Sequence, residues 1–577
     1  MTRSSSTERG AAEAQTITAS SGGARWVAAG ILVSKVGGLV RETLIARFLG
    51  LDALADVWRT ALRAPNVLQN MLGEQTLSAA FIPAYSRLLE EGRDEDAARL
   101  AGAVLGLLAA VVAVAVAVGV LAAPWIVAVL TPGFLDDERY PLLVSAVRIV
   151  FPMTGFLVLS AWALGVLNSH RRFLLPYLAP AVWNAAIIGA QLAAAASSGW
   201  LAAPREAPTA VATDWLFAAC WGALAGGVLQ LVVQLPTVWR LTGGVRPRLP
   251  FARGAGGERW LDAVPGLRQV VRTVGPALAG RGVVQLSLYV DTFLASFLAA
   301  GAPAAIGYAG TLINLPLGVF AMSVAAAELP ELSRRAGDET TRDDPALGEE
   351  ISTRVGRGLR QAGFVVAPSV VGYLVFGFLV AGLLFRRGNF GAQANWLVWA
   401  VVGAYALGLL ASTVSRLLQN VFFALRDTVT PARIAAVRVA SAALVGVLLM
   451  RPLDRLGVGA LTGAEALGSP LFFGAVGLAL ASSVAAWCEL GLLTVALRRR
   501  LPTLRLPVGA LLRHLAVAVG CAVPAALVWW TLATRTSLSV AVEALVVLPT
   551  FAGVYFGVAW LRGAPELALW LGRFSRR

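Results

Sequence analysis

Apolar runs of helix length follow one another from one end of the chain to the other. They fall near 24–49, 55–86, 98–130, 140–167, 176–199, 213–240, 270–299 and 304–333. The series continues near 361–385, 394–424, 430–450, 470–497, 507–533 and 538–561. Crossing the hydrocarbon of a bilayer takes about 20 mostly apolar residues, and every run reaches that length. Lipid offers backbone N–H and C=O groups no partner, so such runs close their own hydrogen bonds as helices. The pattern therefore predicts an all-α integral membrane protein of about fourteen transmembrane helices.

The polar positions between the runs orient them. With the N-terminus inside, "SRLLEEGRDEDAAR", "NSHRR", "RPRLPFARGAGGER", "SRRAGDETTR", "LRD" and "LRRRLPTLR" lie on the cytoplasmic side. "GLDALAD", "TPGFLDDERY", "AAGAPAAIG" and "ATRTS" lie on the other, and they are poor in arginine. Cytoplasmic loops carry the excess of Lys and Arg, so the alternation supports the spans as drawn. An even number of spans puts both termini in the cytoplasm. Residues 1–23 and 562–577 read as cytoplasmic tails, the first disordered, with no short apolar core and cleavage site.

The chain also resembles itself at an offset of about 250 residues. "TLIARFLG" (43–50) matches "TFLASFLA" (292–299), and "LRAPN" (62–66) matches "INLPL" (313–317). "FIPAYSR" (81–87) matches "ELPELSR" (328–334), and "NSHRRFLLP" (168–176) matches "FALRDTVTP" (423–431). The order is kept, and paired segments fall on spans of equal orientation. Two pseudo-symmetric six-helix lobes follow, a plan used by transporters. The first occupies 24–240, a basic cytoplasmic linker 241–269, and the second lobe 270–450 plus 470–497. The two helices within 507–561 are an addition.

Composition narrows the chemistry. Of 577 residues 57% are hydrophobic and only 14% charged, against roughly 25% charged in soluble domains. The formal net charge of +15 sits in short loops between apolar runs, which is a topology signal and excludes nucleic acid as a partner. Cys220, Cys488 and Cys521 lie inside apolar runs, and His170 and His514 lie far apart. They assemble no metal centre and no nucleophile site, so no cofactor is expected. Membrane lipid is the surrounding partner.

Against this background the first span is unusual, because Lys35, Arg41, Glu42 and Arg47 interrupt it. A charge at the centre of a lipid-facing helix costs about 2.5–3.5 kcal/mol on insertion scales, so these groups should face something other than lipid. Ser34 and Arg41 share a helical face, as do Lys35 and Glu42. Gly37 and Gly38 between them are candidate hinges. In the second span Asp56, Arg59, Arg63, Asn66, Asn70 and Glu74 recur at helical spacing and predict one polar stripe, kinked at Pro65. Lys35–Glu42 and Asp56–Arg59 are the candidate ion pairs. Cations outnumber carboxylates, so the first lobe should present a cationic wall to an internal cavity. The guanidinium fork suits phosphate oxygens, which points to a pyrophosphate-bearing amphiphile with its tail in lipid.

"SKVGGLVRETLIARFLG…ADVWRTALRAPNVLQNMLGEQTLSAAFIPAYSR" resembles the N-terminal signature of the MurJ/MviN lipid II flippases, within the multidrug, oligosaccharidyl-lipid and polysaccharide exporter superfamily. The likeness continues through "LNSHRRFLLPYLAP", "GGVLQLVVQLP", "VDTFLASFLAAG" and "FFALRDTVTPARIA". It implies a bacterial inner-membrane transporter. Its substrate would be lipid II or a related polyprenyl-pyrophosphate-linked glycan, moved outward by alternating access as the two lobes rock. Arg41 matches the family's cavity arginine, and Ser34 with Lys35 matches a serine–arginine pair, keeping the charge but losing the fork. Asp56 matches an acidic residue opening the second span, and Pro65–Asn66 a Pro–Asn pair. Asp291 matches a position that binds sodium in some members, so a coupling ion such as Na+, or the membrane potential, is the implied energy source.

Two positions depart from that pattern. Gln69 and Asn70 stand where the family often has two arginines, and Thr311 where it often has one. Arg59 and Arg63 are the candidates to complete the phosphate clamp. The departures keep a second substrate in view, another polyprenyl-linked oligosaccharide. A drug or cation antiporter would want an acidic cavity. A membrane enzyme would need Asp136, Asp137 and Glu138 of "TPGFLDDERY" as its acidic motif, and a scaffold for envelope proteins would need no site. A monomer is expected, with other cell-wall synthesis proteins as further partners.

Overall fold

The computed structural model describes residues 27, 29–202, 204–247, 263–316, 345–425, 427–502 and 504–567. Helices occupy all the expected spans within these residues. In order they are α1 (29–49), α2 (Ala53–Arg63), α3 (Asn66–Leu72), α4 (Glu74–Glu90), α5 (Asp94–Leu121), α6 (Ala123–Leu130), α7 (Arg139–Ser169) and α8 (Leu174–Ser197). Then come α9 (Thr209–Val232), α10 (Leu235–Leu241), α11 (Leu267–Ser296), α12 (302–316), α13 (Pro345–Phe385) and α14 (Ala392–Ala424). The chain ends with α15 (Val429–Leu453), α16 (Val458–Thr462), α17 (Gly474–Arg500), α18 (Val508–Arg535) and α19 (Val540–Leu561). Ten spans among the described residues are long and apolar enough to cross a membrane. The tail 1–23, most of the linker 241–269, Glu328 and the repeat segment 328–334 lie outside the described residues.

The expected span 55–86 is not one helix. Pro65 ends α2, as its missing N–H predicts. A second break at Gly73, which the sequence pattern did not suggest, separates α3 from α4. There the Gly73 N–H donates to the Gln69 carbonyl at 2.8 Å, and a Cβ would run into that same oxygen. The single polar stripe from Asp56 to Glu74 is therefore cut into three pieces. By contrast α1 runs unbroken past Gly37 and Gly38.

The chain divides into two compact units, Met1–Leu49 with Val57–Leu286, and Gly50–Asp56 with Ser287–Arg577. In the first, α7 is the hub and packs on α4, α5 and α9. Trp162 is fully buried there and donates to the Ala101 carbonyl at 3.1 Å. In the second, α17 packs between α14 and α15. Small residues let the backbones approach: Ser483 touches Gly408 and donates to the Ala404 carbonyl at 2.6 Å, and Gly477 lies on Leu449 and Met450. The final pair, α18 and α19, packs on α13 through Phe364, Phe376, Phe551 and Tyr555.

Candidate functional site: a carboxylate-held arginine pair

The charges of the first span are gathered around Glu42. α1 carries Arg41 and Glu42 on successive residues, and α2 brings Arg59 to them. One oxygen of Glu42 accepts from Arg41 Nη2 at 2.6 Å, and the other accepts from Arg59 Nη2. Glu42 is buried, while the Arg41 and Arg59 side chains keep 14% and 12% exposure. Two guanidinium groups share one carboxylate, so the cluster keeps a net positive charge inside an apolar bundle. Coulomb attraction for an anion is far stronger there than in water.

Neighbouring helices position the pair. Asn184 of α8 accepts from Arg41 Nη1 at 2.9 Å and donates through Nδ2 to the Ser34 carbonyl at 3.1 Å. The next residue back, Trp183, lies under the guanidinium, with Arg41 Cζ 4.7 Å from the ring centroid, an attractive cation–π arrangement. Trp183 is itself held by donating to the Ala223 carbonyl at 3.1 Å. Gly37 and Gly38 face Asn184 at ordinary contact distance, so that face of α1 receives the amide without a tight fit. Arg41 Nε is buried and donates to no group among the described residues. The arginine is thus oriented by α8, with part of its guanidinium still exposed.

Several sequence-predicted residues have other surroundings. Glu42 pairs with Arg41 and Arg59, not with Lys35, which is exposed and makes no ion pair among the described residues. The expected Asp56–Arg59 ion pair is not found among the described residues either. Asp56 is fully buried, and its two oxygens accept from the Gly301 and Ala304 N–H groups, each at 2.8 Å. It thereby caps the start of α12, where a carboxylate satisfies free N–H groups and meets the positive end of the helix dipole. Arg63 and Asn66 are half-buried across the Pro65 break, and Arg63 takes no part at Glu42. Arg47 donates to the Leu201 carbonyl at 2.9 Å. The Thr311 hydroxyl donates to the Gly307 carbonyl at 3.2 Å, and Asp291 is half-buried on α11.

The acidic loop offered for enzyme chemistry is tied into local structure. Asp137 accepts from Arg139 Nε at 2.8 Å, and Arg139 is buried with its Cζ 4.0 Å from the centroid of Phe134. Partial burial opposes ionisation of Asp137, yet the Arg139 hydrogen bonds and charge prevail and hold its carboxyl below the usual range. Sequence reasoning passed over Asn184 and Trp183. The available signal was a pair of amides, Asn184 and Gln191, in a mostly apolar α8, polar groups that need partners.

The second unit has a polar cluster of its own that the sequence reading also passed over. Glu489 of α17 is 1% exposed and accepts from Arg438 Nη1 of α15 at 2.6 Å and from Gln419 Nε2 of α14 at 2.9 Å.

Long apolar helices, with carboxylates buried among them and paired to arginines, define a multi-pass α-helical membrane protein. The fold agrees with solved structures. Lipid II flippase MurJ in an inward closed conformation superposes with a TM-score of 0.68, covering 96% of this chain and 99% of that one at 19% identity. An inward-facing multidrug resistance transporter of the MATE family, in the MOP superfamily, gives 0.60 over 82% and 95% at 13% identity. In sequence, the family model described as lipid II flippase MurJ matches residues 45–549. The lipid II flippase MurJ of Burkholderia cenocepacia is 31% identical over 543 residues, 92% of this chain and 95% of that protein. The probable lipid II flippase MurJ of Rhizobium tropici is 30% identical over 471 residues, 81% and 79% of the two chains. This chain belongs to the lipid II flippase MurJ family.

Proposed function

We propose that this protein flips lipid II, the undecaprenyl-pyrophosphate-linked sugar-peptide precursor of peptidoglycan, from the inner to the outer leaflet by alternating access. The observation that carries the reading is the Arg41–Glu42–Arg59 cluster, a positive site inside the membrane in a chain of this family. Arg41 and Arg59 bind the pyrophosphate. The anion competes with Glu42 for their N–H groups, and Trp183 and Asn184 keep the Arg41 fork in place. Lys35, exposed on α1, is a secondary contact. Arg59 takes over from the arginines absent at Gln69 and Asn70.

The protein resides in the bacterial inner membrane with both termini cytoplasmic, and acts as a monomer alongside other cell-wall synthesis proteins. Sodium at Asp291, or the membrane potential, drives the cycle. Rescue of a bacterium depleted of its own lipid II flippase tests the reading, with membrane levels matched. Wild type should restore growth, and Arg41→Ala should lower transport at least about tenfold, the loss of a charged hydrogen-bond donor. If a correctly inserted wild type fails, another polyprenyl-linked oligosaccharide becomes the substrate to test, as the absence of arginine at Gln69, Asn70 and Thr311 favours.

A further inference from the structure

The second unit buries one carboxylate, Glu489, beside two arginines. Glu489 uses one oxygen for Arg438 and the other for Gln419. A further arginine, Arg416, lies one turn before Gln419 on α14, close enough to feel the charges of both Arg438 and Glu489. Arg416 is exposed and makes no hydrogen bond or ion pair among the described residues. One carboxylate therefore faces two guanidinium groups, and one positive charge remains.

Depth makes this unusual. Arg416 is eight residues from the end of α14, Arg438 nine from the start of α15, and Glu489 eleven from the end of α17. At 1.5 Å per residue these are about 12–17 Å from the helix ends, within helices long and apolar enough to cross a membrane. A guanidinium held there against lipid is strongly disfavoured, and intramembrane charges mark substrate or ion paths. Arg438 has its own partner and is 34% exposed, so Arg416 is the group with a fork to offer.

We propose that Arg416, backed by Arg438 and Glu489, binds a carboxylate of the peptide carried by the substrate. The inference rests on the flippase reading. A single free fork matches one carboxylate in bidentate geometry, whereas a pyrophosphate, with its greater charge, suits the arginine pair at Glu42. Glu489 is a positioning residue: it holds Arg438 in place and lowers the local excess charge to one. Arg416 then selects for the peptide-bearing lipid over the same lipid without its peptide.

Binding to the purified full-length protein in detergent tests this with three probes: lipid II, its peptide-free undecaprenyl-pyrophosphoryl disaccharide, and undecaprenyl pyrophosphate. Arg416→Gln should weaken lipid II binding by about tenfold, the loss of a charged bidentate contact, and leave both peptide-free probes unchanged. Arg416→Lys should recover part of the loss, because the charge remains without the fork. Arg41→Gln should weaken all three. Size-exclusion profiles confirm that each variant is folded, and the exposure of Arg416 makes its substitution mild. Equal loss on all three probes with Arg416→Gln would assign the residue to the pyrophosphate and overturn the carboxylate assignment, as would no loss on any. Wild type that binds none of the probes overturns the flippase reading and this inference together; wild type that binds lipid II with Arg416→Gln unaffected overturns this inference alone.

Discussion

At Glu42 the decisive interaction joins sequence neighbours that a helical wheel sets apart. Residues i and i+1 on a helix point about 100° from each other and do not face. Arg41 nonetheless reaches the carboxylate because the guanidinium sits on a long flexible stem, and Trp183 and Asn184 from α8 hold it there. Glu42 is therefore the residue on which the site turns. Glu42→Gln leaves two largely buried guanidinium groups without their counter-charge, and removing one partner of a buried pair costs about 3 kcal/mol or more. Its melting temperature in detergent should fall by several degrees, and binding of an anionic lipid should persist because the positive excess rises. An unchanged melting temperature would mean that the pair does not hold α1 and α2 together. Asp56 teaches the complementary lesson. Its acidic character and helical position were plain in the sequence, but its use as a cap for α12, 245 residues away at Gly301, could come only from folding.

Among the elements, the informative one is the broken second span. Pro65 announced its own break through the missing N–H, whereas Gly73 announced nothing, since glycine is common in membrane helices. What calls for glycine at 73 is the carbonyl of Gln69, which occupies the place a Cβ would take. Gly73→Ala should cost about 1–3 kcal/mol, as for other overpacked sites, by forcing α3 and α4 apart; thermal unfolding of the purified variant measures it. Gly37→Ala, which meets only ordinary contacts with Asn184, is the matched control and should change stability little. Elsewhere on these elements, His170 at the end of α7 meets the Tyr85 hydroxyl at 3.0 Å. Burial lowers its pKa, with Asp94 opposing. The folded form thus favours neutral imidazole, and the stability this contributes is present above the ordinary histidine range and lost as pH falls through the depressed value.

Across the molecule, α18 and α19 look like an appendage in the repeat pattern but not in the packing. Tyr555 donates to the Phe364 carbonyl at 2.9 Å, and Trp529 donates to Glu543 at 3.2 Å. Phe376 is fully buried beside Phe551 and Trp529. Lipid can replace apolar contact but cannot satisfy these polar groups. A chain truncated after Leu506 should accumulate in membranes well below the full-length level; equal accumulation would mean that α13 tolerates the loss of its partners. Each unit also repeats one device, a buried carboxylate that takes an arginine from a neighbouring helix, Glu42 in the first and Glu489 in the second. The sequence by itself determined the helices, their order and the family, because each membrane helix satisfies its own backbone and its apolar length is written locally. It also singled out Arg41. Only tertiary structure decided which charges meet, as at Arg41 and Asn184, 143 residues apart, because side-chain partners in an apolar bundle are chosen by the helices that pack together.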